Sequence, residues 1–230
     1  MMDIAWFGAS CFRIKHGGAT IFIDPYRLGQ RYRNLKIAAH AISLSGSPSL
    51  KKAELRTIEG LDNEGKPGPE PYRIDRPGEY EVGGVFIDAW PAAEFAPDSG
   101  PGTLVLRLSA GGASVVHLGQ LSQPLQPALL SEIRHCGALM IPPGGSEEFT
   151  IEQSVRMIAR ISPGWVVPMG YAARSEKKNL SEIAKFNSAL GLPEQPQRSD
   201  ISVTGPFDGQ SAPNLACLRP RTALKPSAVA

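Results

Sequence analysis

The chain has 230 residues, 42% of them hydrophobic and 20% charged, an ordinary globular composition that allows a sizeable core without staples. Its 24 basic residues are scattered among 22 acidic ones for a formal net charge of +2, so no basic stripe argues for nucleic acid. Cys11, Cys136 and Cys217 lie far apart with no C-x-x-C pair, which excludes a disulfide framework and suits free thiols in a reducing compartment. No run approaches the ~20 apolar residues that span a bilayer, and the start lacks a charged segment followed by an apolar one. A soluble cytoplasmic protein is therefore expected.

In chain order, Asp3 to Phe7 and Cys11 to Lys15 alternate as two strands joined by Gly8-Ala9-Ser10, and His16-Gly17-Gly18 turns the second into a third, Thr20 to Ile23. Asp24-Pro25 ends this meander, because proline cannot donate to a ladder. An arginine-rich loop, Tyr26 to Lys36, leads to one strand from Ile37. Ile37, Ala39, Ala41 and Ser43 are expected on one face and Ala38, His40, Ile42 and Leu44 on the other, before a break into small residues and Pro48. Lys51 to Gly60 reads as a helical turn and a short strand, and Leu61 to Pro71 as a surface turn. Tyr72 to Trp90 bends at Pro77-Gly78 and again at Gly83-Gly84, and Ala92 to Gly102 is a surface loop.

Thr103 to Leu108 and Ser114 to Leu118 form a further hairpin across Ala110-Gly111-Gly112. The period then changes. Gln126 to Arg134 is helical, with Leu129, Leu130 and Ile133 on one face, and Ala138 to Ile141 is a buried strand. Thr150 with Gln153 three residues on opens a helix whose apolar face is Ile151, Val155, Ile158 and Ala159. Trp165 to Met169 follows as a strand and Ser181 to Leu190 as an amphipathic helix stopped by Gly191 and Pro193. Ile201 to Thr204 and Leu215 to Leu218 are candidate closing strands. One domain over residues 1–219 is expected, with a flexible tail over 220–230.

Several segments together carry a resemblance: DIAWFGASCFRIKHGG and IDPY, then PGEYEV with its following glycine pair, HLG at His117, PPGG at Pro142, and VPMGY at Val167. In this order they are similar to the metallo-β-lactamase-fold hydrolases, most closely the branch containing L-ascorbate-6-phosphate lactonase and its bacterial relatives. The resemblance implies an α/β (α+β) fold, a four-layer αββα sandwich. It also implies an active centre of imidazoles and carboxylates that hold zinc, manganese or iron and lower the pKa of a bound water.

The family's metal motifs are H-x-H-x-D-H, a strand-ending H-x-G-D and I-P-M-H-Y. By the resemblance, Leu44, Gly46, Pro48 and Ser49 stand at the positions of the first motif, and none is an effective zinc ligand. His117 survives from the second, but its aspartate has become Gln120, a neutral amide. Gly170 stands where the final histidine would be. No resident metal or other cofactor is therefore expected, although the family would use zinc or manganese.

The candidate cleft comprises Leu44, Gly46, Ser49, His117, Gln120, Gly170 and Tyr171, and the weak catalytic candidates are His117, Gln120 and Asp24. His117 reads either as a leftover base or, the preferred reading, as a histidine satisfying a buried hydrogen bond. Asp24 is expected to brace the Ser45 to Ser49 loop by accepting hydrogen bonds. Ser43, Ser45, Ser47 and Ser49 lack a G-x-S-x-G elbow and read as turn serines. Cys11 reads as a buried thiol, and Gly144-Gly145-Ser146 as a plain turn before the Thr150 helix.

The first functional expectation is a pseudo-hydrolase without metal ligands that binds a small molecule or a protein partner, with homo-oligomerisation as one route to a role. The alternative is an active hydrolase of a small phosphorylated lactone or ester, rebuilt around His117, for which one histidine supplies only about 10²- to 10⁴-fold. A third is an interaction subunit whose Tyr26 to Arg33 loop presents Arg27, Arg31 and Arg33 to an acidic partner. Neither a nucleic acid nor a membrane is expected as partner.

Overall fold

The computed structural model describes residues 1–25, 37–45, 58–93, 103–144, 146–170, 176–192 and 196–221, with backbone only at 176–182. β1 (Met2–Gly8), β2 (Cys11–His16) and β3 (Ala19–Ile23) form the antiparallel meander. Its first turn uses Gly8 and Ala9, both at positive φ, and the register slips between Trp6 and Gly8. Such a slip bends the strand end and re-aims the turn. Both faces of these strands are covered. Ile4, Trp6, Phe12, Ile14, Ile21 and Ile23 join the main core, and Phe7, Cys11 and Phe22 a second one.

The stretch from Ile37 divides where one strand is expected. β4 (Ile37–Ala39) and β5 (Ala41–Ser43) belong to different sheets, with His40 at the corner. Its Nδ1 accepts the Thr20 N–H at 3.0 Å, and its Nε2 lies 2.9 Å from the Asp62 carbonyl. The bend also breaks the expected facing. Ile37, Ala39 and Ile42 pack in the second core, whereas Ala41 packs in the main one.

β4 pairs with β6 (Ile58–Leu61), which pairs with β7 (Pro67–Gly68), making a small sheet. Ile37, Ala39 and Ile58 of this sheet close the second core against Phe7, Cys11, Phe22 and Ile42. Among the described residues, this three-stranded sheet therefore supplies the cover on that side. The expected helical turn at 51–57 lies outside the described residues.

β5 pairs in parallel with β3 and with β8 (Tyr72–Ile74), while β15 (Asp200–Val203) pairs antiparallel with β1. The first large sheet is thus β15-β1-β2-β3-β5-β8. The bend at Pro77-Gly78 carries the chain to the second, in which β9 (Gly78–Val82), β10 (Val85–Pro91), β11 (Leu104–Ala110) and β12 (Ala113–His117) are antiparallel. β13 (Ala138–Ile141), β14 (Trp165–Pro168) and β16 (Asn214–Leu215) continue it in parallel.

The parallel pairs require crossovers, and helices supply them. α1 (Pro127–Glu132) links β12 to β13 and α2 (Ile151–Ile161) links β13 to β14. α3 (Glu176–Leu190) starts before the expected Ser181 and packs on α2. α2 carries the expected capping box: the Thr150 hydroxyl accepts from the Gln153 N–H, and the Gln153 side chain accepts from the Thr150 N–H. Its buried face is Ser154, Met157, Ile158 and Ile161, however, and Ala159 is exposed. That face is rotated from the expected stripe because Met157 and Ile161, rather than Ala159, supply most of the apolar volume.

The large sheets stack through Trp6, Phe12, Ile14, Val85, Leu106, Val115 and their neighbours, giving the expected α+β sandwich. The chain remains tied beyond the expected boundary at 220: the Arg221 N–H donates to the Trp6 carbonyl and its guanidinium pairs with Asp200. None of the helices described is long and apolar enough to cross a membrane.

Candidate functional site

The strand ends bring Asp24, Ser45, His117 and Gly170 to one end of the stacked sheets, around the β1–β2 turn. His117, the last residue of β12, is fully buried, and its ring meets Phe12 edge-on at 5.6 Å between centroids. The Gly119 N–H donates to Nδ1 at 3.0 Å, so Nδ1 carries no proton. Nε2 must then carry it and donates to the Ser10 carbonyl at 3.0 Å. Burial lowers the pKa of this imidazole, opposed by the charge of Asp24 and by the Ser10 bond. The result is a neutral ring with no lone pair open to a proton or a cation.

Asp24 ends β3 at φ 51, a left-handed conformation that aspartate tolerates better than most residues. It is fully buried. Its N–H donates to the Ser43 carbonyl at 2.8 Å, and its carboxylate accepts the Ser45 N–H at 2.6 Å and the Ser45 hydroxyl at 2.5 Å. Asp24 thus fastens Ser45, just past β5, to the end of β3. Ser45 in turn accepts the Leu104 N–H through its carbonyl at 3.2 Å, joining the two sheets.

Gly119, at φ 62, lies against that junction. A Cβ there would come within 2.6 Å of the Leu104 carbonyl oxygen and 2.7 Å of Thr103 Cγ2. Glycine is required by both backbone and space. Gln120 is half-buried, and its carbonyl accepts the Thr103 hydroxyl at 3.3 Å. Gly170 has its N–H bound to the Ala9 carbonyl at 2.9 Å, which also accepts from Trp6 Nε1 at 2.9 Å. A Cβ on Gly170 would meet nothing within 4 Å among the described residues.

The β1–β2 turn is therefore held at two strand ends, through Ser10 to His117 and through Ala9 to Gly170. No residue pattern signals this role, because backbone carbonyls make both contacts. Leu44 is buried, with its N–H donating to the Ile74 carbonyl at 3.0 Å. Gly46, Pro48, Ser49 and Tyr171 lie outside the described residues, as does the Tyr26 to Arg33 loop.

Ser10 Oγ and Ser43 Oγ are buried and have no hydrogen-bond partner among the described residues. Cys11 is fully buried, and burial first, then the charge of Asp24, pushes its thiol well above the usual range, so it is a poor nucleophile. The described residues do not fit a zinc or manganese ion: no three of His, Cys, Asp and Glu among them are grouped to hold one. The His117 imidazole has both nitrogens occupied.

The model of the beta-lactamase superfamily domain matches residues 3–170. A UPF0173 protein of Pyrococcus furiosus is 24% identical over 188 residues, which cover 76% of this chain and 86% of that one. A UPF0173 metal-dependent hydrolase of Methanoculleus marisnigri is 29% identical over 202 residues, covering 80% and 88%. Among solved structures, a Thermotoga maritima protein of the metallo-beta-lactamase superfamily superposes with a TM-score of 0.69 at 24% identity, over 95% of this chain and 98% of that one. Igni18, a metallo hydrolase of Ignicoccus hospitalis, gives 0.56 at 19% identity over 90% and 96%.

Proposed function

Because the chain belongs to the beta-lactamase superfamily, we propose that it is a pseudo-hydrolase, a member that keeps the family scaffold without its metal and acts by binding a ligand or partner. One observation carries this reading. His117 spends one nitrogen on the Gly119 amide and the other on the Ser10 carbonyl, so it serves as a cross-link between the sheets. Binding a cation through either nitrogen would break a buried hydrogen bond, at a cost of about 1–3 kcal/mol for each group left unsatisfied. The same occupancy counts against a hydrolase rebuilt on His117 as general base, which needs an open lone pair within reach of its proton donor.

Binding is favoured over a purely structural role by the space beside Gly170 and by the hydroxyls of Ser10 and Ser43, both without a partner among the described residues. A small polar molecule is the occupant that fits such groups. The buried thiols of Cys11 and Cys136, the latter pushed up to about 12 by burial, suit a reducing cytoplasm. Elemental analysis of protein purified without chelator is the test. Zinc, manganese and iron far below one per chain are expected, with a thermal midpoint indifferent to EDTA, whereas near-stoichiometric retained metal would overturn the proposal.

A further inference from the structure

A surface cavity away from the strand ends is the most informative feature outside them. It has a volume of about 470 Å³ beside the β11–β12 turn and is bordered by Arg107, Ser109, Ser114, Arg134, Phe86 and Phe207 among others. Its size is that of a small-molecule site. Side chains alternate along a strand, so Ser114 points away from the face on which His117 meets Phe12. Ser114 is also three residues along β12 from His117, about 10 Å.

The ionic side chains that line this cavity are the guanidinium groups of Arg107 and Arg134, with His135 beside them, and among the described residues no Asp or Glu lines it. Asp88 stands opposite Arg107 in the strand register and Glu81 opposite Phe86, yet among the described residues neither arginine is in an ion pair. Arg107 gives one N–H to the Glu132 carbonyl at 3.0 Å, and among the described residues the other donors of its guanidinium have no partner. Arg134 also borders an adjoining cavity of about 250 Å³ that Arg160 lines, so positive charge continues past it. Phe86 is 61% exposed, costly for a ring on a strand unless something covers it.

We propose that this cavity is a binding site for a small aromatic phosphate ester, its phosphate held by Arg107 and Arg134 and its ring laid against Phe86 and Phe207. Two guanidinium groups match a phosphate dianion in charge and in the forked geometry of their donors. Ser109 and Ser114, paired across β11 and β12, add hydroxyls at the same wall. An aromatic ring covers exposed Phe86 with gain from both burial and ring–ring geometry. The site is independent of whether the strand-end cleft holds a metal.

Calorimetric titration of the full chain with phenyl phosphate, inorganic phosphate and phenol tests it. Saturable phenyl phosphate binding is expected, weakened at least tenfold by Arg134→Gln, a change at an exposed side chain that leaves folding intact by circular dichroism. Phe86→Ala should weaken phenyl phosphate while leaving inorganic phosphate unchanged. No saturable binding up to about 10 mM, or binding indifferent to Arg134→Gln and Arg107→Gln alike, would overturn the assignment. Metal content reads the strand-end cleft and these titrations read the cavity, so failure of one leaves the other standing.

Discussion

Replacing His117 tests the sheet-to-sheet cross-link directly. In His117→Ala the Ser10 carbonyl and the Gly119 N–H both lose their partner in a fully buried setting. Each orphaned group costs about 1–3 kcal/mol, and loss of the ring packed on Phe12 adds a cavity, so about 3–5 kcal/mol in all is expected. His117→Asn restores an acceptor near the Nδ1 position, and His117→Gln a donor near Nε2. Each should recover about 1–2 kcal/mol of the loss by satisfying one group. Guanidinium unfolding at constant m reads these differences as shifts in midpoint. An alanine variant within about 1 kcal/mol of the parent would refute the cross-link, as would three variants of equal stability.

The same residue sets a pH dependence. Burial lowers its folded pKa below the unfolded value of about 6.5, so between the two the unfolded chain holds more protons. The contribution is fully present above about pH 6.5 and declines as pH falls towards the lowered folded value, with a slope of at most about 1.4 kcal/mol per unit. His117→Gln should remove that part of the slope in unfolding measured across pH 5 to 7. Asp24→Asn keeps the left-handed backbone tolerable but removes the charge and one acceptor for Ser45, for an expected loss of about 1.5–3 kcal/mol by the same assay. Gly119→Ala forces a Cβ into the Leu104 carbonyl and should cost about 3 kcal/mol or more, visible as a lower thermal midpoint or as insoluble protein. Thr150→Ala loses one half of the α2 capping box, for about 1 kcal/mol in the same unfolding measurement.

The local grammar of the chain was enough for most elements. Alternation with glycine turns marks β1 to β3 and β9 to β12, and Thr150 with Gln153 marks the start of α2, because these depend on neighbours a few residues apart. The order of the segments from IDPY to VPMGY likewise carried the family. What the sequence could not fix is where chains distant along it meet. The division of Ile37 to Ser43 into two sheets depends on His40 reaching both Thr20 and Asp62. The capture of His117 depends on a carbonyl 107 residues away, on Ser10. Backbone carbonyls look alike at every position, so no residue pattern announces which one a buried imidazole will find. Only the stacked sheets decide that, and with it whether His117 keeps a nitrogen available for chemistry or commits both to holding the fold together.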